Sequence, residues 1–287
     1  MSLTGKGKLA GVMGWPIGQS LSPRLHAYWL RVHHVDGAYV PLAVASEKFA
    51  AALRGLRDCG FVGVNVTVPH KEAAFALAHE LDEAAEAAGA ANLLLLRNGR
   101  FVGRNTDVEG LAASLVESLG ADGLANSAVA LIGTGGAARA AVLACDRLGA
   151  RAIRITGRHS ARTDALAHSL KTRVRARLVS VEWSNWSVAT ADAALIINAT
   201  SAGMKSNPPL DLPMNSIPAN AAVCDLVYNP LETELLKRAR MQGLRTIDGL
   251  GMLMHQAAPA FEAFYGIRPA VTADLRRELE QALRNGG

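Results

Sequence analysis

The sequence predicts an α/β protein of two domains, and three observations carry the prediction. Short apolar runs alternate with helical stretches along the chain, the pattern of parallel strands with helices packed on a sheet. At 287 residues the chain is long enough for two cores. Residues 128–149, AVALIGTGGAARAAVLACDRLG, read as strand, glycine turn and helix in succession. The apolar run 128–132 is a buried strand, Gly133-Thr134-Gly135-Gly136-Ala137-Ala138 is a tight turn, and an alanine-rich helix runs to Leu148. Gly133 makes the turn, Gly135 lets a pyrophosphate approach the backbone, and Ala138 is small enough for close helix–strand packing. Unpaired N–H groups at the helix start then face the phosphates. This is the setting of a Rossmann-type dinucleotide site, with Gly133, Thr134, Gly135, Gly136 and Ala137 as its candidate contacts; the plain alternative is a strand–helix turn that merely needs glycines.

Composition narrows the class. Hydrophobic residues make up 50% and charged residues 19%, a soluble globular balance. No apolar run approaches the ~18 residues of a membrane span, and the apolar patch 9–13 is too short for a secretory leader. Cys59, Cys145 and Cys224 are odd in number and far apart, which predicts buried thiols in a reducing compartment, by default the cytoplasm. The formal charge of +5 is concentrated: residues 139–177 hold ten Lys/Arg against two acids. No aromatic residue interrupts that segment, so it suits a small anionic ligand beside the glycine turn better than a nucleic acid.

Taken in order, residues 8–13 form a first strand, and Ser22 is a natural N-cap for a helix opening at Pro23. The hydroxyls of Ser20 and Ser22 suit a polyol or a carboxylate, while the last glycine of a G-x-S-x-G nucleophile elbow is missing. A strand over 38–44 and a helix over 46–59 lead to a strand over 61–68, which ends in Asn-Val-Thr-Val-Pro-His-Lys. Alternation puts Asn65 and Thr67 on one face, Pro69 stops the strand, and Lys71 sits on the helix that follows. His70 reads as structural. Two short helices reach Gly89, and Asn98-Gly99 turns a hairpin between strands 91–97 and 100–104. Asn105-Thr106-Asp107 then opens a helix to Leu119, where Thr106 as cap and Asp107 as first-turn acid are the plain readings.

Beyond the glycine turn, residues 151–156 are the second strand of a βαβ unit. An NAD site would carry an acid at its end, but here Gly157-Arg158-His159-Ser160-Ala161-Arg162 has none before Asp164. Arg158 and Arg162 suit a 2′-phosphate, so the cofactor predicted is NADP. Strands are expected over 174–179, 193–197, 222–227 and 245–247, a proline-rich loop over 208–218, and helices over 252–264 and 271–284. No repeat and no metal-ligand spacing is present, and no metal is expected.

These motifs, in this order, resemble the shikimate dehydrogenase family over nearly the whole chain. The carriers are Ser20-Leu21-Ser22-Pro23, NVTVPHK from Asn65 to Lys71, Asn92, Asn105-Thr106-Asp107, Gly133 to Ala137, and DGLGMLMHQAAPAF from Asp248 to Phe261. The resemblance implies reversible reduction of 3-dehydroshikimate to shikimate by NADPH, on the route to aromatic amino acids. It implies Lys71 and Asp107 as the catalytic pair, and Ser20, Ser22, Thr67, Asn92, Tyr228 and Gln256 as the substrate shell, supported by Asn65. The glycine turn, Arg158 and Arg162, with Leu226 and Gly249, would hold the cofactor. It further implies a discontinuous substrate domain, 1–112 with 249–287, around a cofactor domain, 113–248. Small-molecule ligands, with no nucleic acid or membrane partner, and a monomer or homodimer are the matching expectations.

The chemistry agrees with the residues. Reduction of a ketone makes an alkoxide, which needs a proton donor within hydrogen-bond reach. A lysine beside a carboxylate fills that role, while hydroxyls and amides fix the ring. Three positions depart from the family: Gln19 where histidine is frequent, Ala27 where asparagine is, and Gly157-Arg158-His159 where Asn-Arg-Thr is common. They keep quinate or aminoshikimate dehydrogenase open as alternatives. A catalytically silent NADP-binding regulator is a third, against which both Lys71 and Asp107 stand in whole motifs.

Overall fold

The chain begins its first sheet with β1 (Lys8–Gly14), whose last five residues are buried. A run buried on both faces belongs in the middle of a parallel sheet, and that is where it lies. In the computed structural model, which describes residues 3–205 and 207–285, the chain divides into two units: Met1–Thr106 with Met254–Gly287, and Asp107–Leu253.

In the first unit β1 is followed by α1 (Ser22–Val32), β2 (Gly37–Ala43), α2 (Phe49–Asp58) and β3 (Phe61–Val66). Then come α3 (Lys71–Leu77), β4 (Glu80–Leu81), α4 (Glu83–Ala88), β5 (Leu93–Arg97) and β6 (Arg100–Arg104). The sheet order is β2-β1-β3-β5-β6-β4. The strands β1, β2 and β3 are parallel, whereas β5 runs antiparallel to both β3 and β6. The reversal is made by Asn98 and Gly99, with φ of 50° and 75°, the left-handed pair that matches strand twist in a two-residue hairpin. One edge of the sheet therefore collects the C-terminal ends of β1, β3 and β6 and the N-terminal start of β5. Met13, Phe49, Leu53, Val64, Val66, Leu94 and Phe101 form one core cluster. A second, aromatic group joins Trp29, His26 and Tyr39 to Phe261 and Phe264 from the chain's last part.

The second unit runs α5 (Asp107–Leu119), β7 (Ala128–Ile132), α6 (Gly136–Arg147), β8 (Ala152–Gly157), α7 (Ser160–Leu170) and β9 (Arg177–Glu182). It continues through α8 (Trp186–Thr190), β10 (Ala193–Asn198), β11 (Ala222–Asp225), α9 (Glu234–Met241), β12 (Arg245–Ile247) and the start of α10 (Gly249–Tyr265). All six strands are parallel, in the order β12-β11-β10-β7-β8-β9. From β7 one half winds outward through β8 and β9, the other through β10, β11 and β12. This is a doubly wound, Rossmann-type sheet, with its topological switch point between β7 and β10. The last helix, α11 (Ala273–Arg284), is capped by Thr272, whose hydroxyl accepts from Leu275 N–H at 3.2 Å. No helix among the described residues is long and apolar enough to cross a membrane.

Several expected details change. Ser22 is not the cap of α1 but its first residue, and Leu21 precedes it without a side-chain bond. The hydroxyl that serves the helix start is that of Ser20, which accepts from Ser22 N–H at 3.3 Å. The strand expected to reach Val68 ends at Val66, and Thr67 lies beyond it. β9 starts at Arg177 rather than 174, because the Arg175 and Ala176 amides are both taken by Asp146 Oδ1 at 2.7 Å. β11 stops at Asp225, whose own carboxylate accepts the Val227 N–H at 3.0 Å. Helix α10 opens at Gly249, three residues earlier than its apolar pattern indicates. Cys145 and Cys224 are buried thiols as expected, but Cys59 is exposed.

Candidate active site

In the first unit the strand directions gather the substrate candidates. Ser20 and Ser22 follow β1, Thr67 and Lys71 follow β3, Asn92 precedes β5, and Thr106 follows β6. All stand at the same sheet edge. Thr67 is tied back to β1 through its N–H, which donates to Met13 carbonyl at 2.9 Å. Lys71 is the first residue of α3, and its carbonyl accepts from Ala91 N–H at 3.0 Å, which ties the lysine's main chain to the segment that carries Asn92. The preceding residue, His70, is buried, stacks on Phe49 at 4.6 Å and places Nε2 2.7 Å from the Val44 carbonyl. Because that partner only accepts, Nε2 carries the proton, and His70 acts as an anchor for the lysine's segment.

Asn92 is the hub of a buried amide–hydroxyl network. Its Oδ1 accepts from Thr106 N–H at 2.8 Å, and its Nδ2 donates to Thr106 Oγ1 at 2.9 Å and towards Gln256 Oε1 at 3.3 Å. Thr106 Oγ1 reaches the same Gln256 oxygen at 3.3 Å. Asn65 joins from below, its Nδ2 donating to Asn92 carbonyl at 3.2 Å. Asn65, Asn92, Thr106 and Gln256 are thus brought together by side-chain contacts, and the Thr106 hydroxyl, at the start of α5, takes part in this network. Buried polar groups of this kind hold one geometry, since losing any member removes bonds from its buried neighbours. Asp107, directly bonded to Thr106, is buried and opens α5.

The second unit presents main chain rather than side chains. Gly133 ends β7 with φ 124°, and a Cβ there would lie 2.9 Å from Ala199 carbonyl oxygen, so only glycine fits. Its N–H donates to Thr156 carbonyl at 3.0 Å, while Ala199 N–H donates to Ile132 carbonyl at 2.8 Å. The glycine turn and the 199–203 loop therefore flank the switch point, where open α/β sheets take their ligands. Gly135 is the N-cap of α6, with nothing within 4 Å of the place a Cβ would occupy, and Ala138 is fully buried. Arg158 and Arg162 are exposed just beyond β8, the neighbour of β7. An open glycine turn, helix amides and two exposed guanidiniums with no acid between them fit a dinucleotide carrying a 2′-phosphate. Leu226 follows β11 and donates its N–H to Asn198 carbonyl at 3.0 Å. Gly249 is packed so closely that a Cβ would stand 2.3 Å from Leu226 oxygen. Tyr228, a substrate candidate, lies in this unit, after β11.

Two features here had no signal strong enough to find in sequence. Asp225 is buried and accepts from Asn198 Nδ2 at 2.9 Å, Val227 N–H at 3.0 Å and Thr233 Oγ1 at 2.6 Å. Burial nonetheless pushes its carboxyl up to about 6. With Asn198, it ties the ends of β10 and β11 and so shapes the loops that follow both. The other is the Thr106 hydroxyl, for which the Asn-Thr-Asp motif was the one available clue. Among the described residues no cluster of His, Cys, Asp or Glu is arranged to hold a metal ion.

Comparison with known proteins matches residues 12–94 to the shikimate dehydrogenase substrate binding domain. A shikimate dehydrogenase (NADP(+)) from Rhodospirillum rubrum is 45% identical over 96% of this chain and 97% of its own length. Among solved structures, shikimate 5-dehydrogenase from Thermus thermophilus, in complex with NADP(H) and shikimate, superposes with a TM-score of 0.83 at 33% identity, covering 97% of this chain and 99% of that one. Quinate dehydrogenase from Corynebacterium glutamicum, in complex with NAD, superposes with a TM-score of 0.86 at 29% identity, covering 96% and 99% of the two chains.

Proposed function

The chain belongs to the shikimate dehydrogenase family, and from that membership we propose that it is an NADP-dependent oxidoreductase interconverting shikimate and 3-dehydroshikimate in aromatic amino acid biosynthesis. The observation that carries the reading is the gathering of Ser20, Thr67, Lys71, Asn92 and Thr106 at one sheet edge, with Gln256 bonded into the same network. A ring bearing several hydroxyls and a carboxylate calls for such a set of neutral donors and acceptors beside a cation. The discontinuous unit then binds the substrate, and the inserted unit the cofactor.

NADP, when bound, supplies the hydride acceptor or donor for the carbon that carries the substrate hydroxyl. The protein's own residues do the rest. Lys71 gives a proton to the oxygen that becomes a hydroxyl, or takes it in the reverse direction, with Asp107 as its carboxylate partner. Ser20 and Ser22 hold the substrate carboxylate, and Thr67, Asn92, Tyr228 and Gln256 hold the ring hydroxyls. Gln256 Oε1 faces Asn92 and Thr106, which ties this side chain to the two other members of the network. Gly133 to Ala137 with Leu226 and Gly249 seat the dinucleotide, and Arg158 and Arg162 select the 2′-phosphate. The buried free thiols Cys145 and Cys224 fit a working place in the cytoplasm.

Purified protein is mixed with shikimate and NADP, and the absorbance of the reduced nicotinamide is followed, with quinate and NAD in parallel. Turnover with shikimate and NADP exceeding the other pairs is expected. Faster turnover with quinate would make it a quinate dehydrogenase, and no turnover with either would leave a silent cofactor-binding protein.

A further inference from the structure

Tyr39 lies on β2 in none of the motifs, yet its hydroxyl meets Asn65 Oδ1 at 2.7 Å. The other end of the Asn65 amide lies 3.2 Å from Asn92 carbonyl oxygen. A carbonyl only accepts, so the Asn65 atom facing Asn92 is the nitrogen, and the atom facing Tyr39 is the oxygen. The phenol is therefore the donor. A half-turn of the amide would set two acceptors against each other at Asn92, so the Asn92 carbonyl fixes the amide's direction and the phenol O–H holds the oxygen end in place. The same Asn92 carbonyl also accepts from Val66 N–H at 2.8 Å, so β3 holds the main chain of the hub residue at two points.

The phenol is itself held in place. Its ring stacks on His26 at 3.8 Å with planes 5° apart, and Phe264 lies 6.2 Å away. Both Tyr39 and His26 are buried. Burial also pushes the His26 imidazole down to about 3, so at neutral pH the stack carries no charge that would open it. Tyr39 is thus a rigid donor, Asn65 a carboxamide with a defined direction, and Asn92 the residue they steady.

We propose that Tyr39 is a positioning residue of the substrate site: its hydroxyl anchors the Asn65 carboxamide, which holds Asn92 in register for the ligand. The proposal rests on the shikimate dehydrogenase reading and deepens it, because it adds a residue that acts on substrate binding through Asn65. It separates Tyr39 from the surrounding aromatic core, whose role is packing.

The test compares wild type, Tyr39→Phe, Asn65→Ala and the double variant in steady-state oxidation of shikimate by NADP. Tyr39→Phe keeps the ring stack and removes one neutral hydrogen bond, so KM for shikimate should rise about 5- to 10-fold. Its kcat and its KM for NADP should stay within about 3-fold of wild type, with an unchanged circular dichroism spectrum. In the double variant the Tyr39→Phe effect should vanish, because its target is gone. Incorporating 4-aminophenylalanine at position 39, which restores a para donor, should recover most of the affinity and covers the case in which Tyr39→Phe folds poorly. An unchanged shikimate KM in Tyr39→Phe, or effects that add in the double variant, would overturn the proposal while leaving the enzyme assignment intact. Absence of turnover in wild type would overturn the assignment and this inference together.

Discussion

In the first unit the polar groups of the site are side chains bonded to one another, from Asn65 through Asn92 to Thr106 and Gln256. In the second they are main-chain groups laid bare by glycine, with two exposed arginines beside them. The sheets differ in the same sense. A mixed sheet with a hairpin brings four strand ends from distant sequence to one edge, whereas the all-parallel sheet needs only its switch point. A site made of linked amides holds one arrangement of donors and acceptors, and a change at one member is felt by its neighbours. A site made of backbone accepts many side-chain changes and fails where a Cβ enters.

The comparison breaks most visibly at Lys71, a cation among the neutral groups of the first unit's edge. If it transfers the proton, Lys71→Ala and Lys71→Met should each lower kcat by about 10²–10⁴-fold, with a smaller change in substrate KM. Steady-state kinetics on folded variants, with circular dichroism as control, decides it; near-wild-type kcat in either variant would remove Lys71 from the chemistry.

A charge buried in the second unit gives the next effect. Asp225 has a folded pKa raised to about 6, above its unfolded value, so the native state holds the proton more tightly than the unfolded state. Its contribution to stability is therefore fully present below the unfolded pKa, falls as pH rises from about 4 to about 6, and stays lower above that. The rise from an ordinary carboxylate value corresponds to roughly 3 kcal/mol. Asp225→Asn, which cannot ionise, lacks this slope. The difference in urea midpoint between wild type and variant should move in the variant's favour across that window, and a constant difference would contradict the raised pKa.

Gly133→Ala sharpens the main-chain side of the comparison. Its φ of 124° and the Ala199 carbonyl 2.9 Å from the new Cβ should cost about 1–3 kcal/mol and weaken NADP more than shikimate. Calorimetric titration of each ligand measures the split. The smallest effect is expected at exposed Arg158, where Arg158→Ala should weaken NADP about 10-fold and leave NAD nearly unchanged. Equal losses for both dinucleotides would mean that Arg158 does not read the 2′-phosphate.

Main-chain sites are easier to read in sequence than networks are. The glycine turn and the strand Ala128–Ile132 were legible because glycine spacing and a five-residue apolar run leave few alternatives. The Asn98-Gly99 hairpin was legible for the same local reason. What escaped was set by partners far along the chain. Ser22 looks like a cap in isolation, but the helix opens one residue earlier and Ser20 takes the bond. β9 was displaced because Asp146, on another element, captures two amides that alternation alone assigns to the strand. Tyr39 is one aromatic residue on a strand until Asn65 is placed beside its hydroxyl. The raised pKa of Asp225 needs knowledge of burial that composition does not hold.

The return of the chain to its first unit at Met254 also bears on how the molecule is assembled. Asn92 and Gln256 are 164 residues apart, and Tyr265 reaches back 227 residues to donate to Ala38 carbonyl. Contacts of such separation carry a heavy loop-closure cost and form late. Until Phe261 and Phe264 arrive, Trp29, His26 and Tyr39 lack the rings that cover them in the finished fold. The inserted unit draws its contacts from one continuous stretch and faces no such delay. During synthesis the earlier-made segment is thus the one that waits longest with apolar surface uncovered.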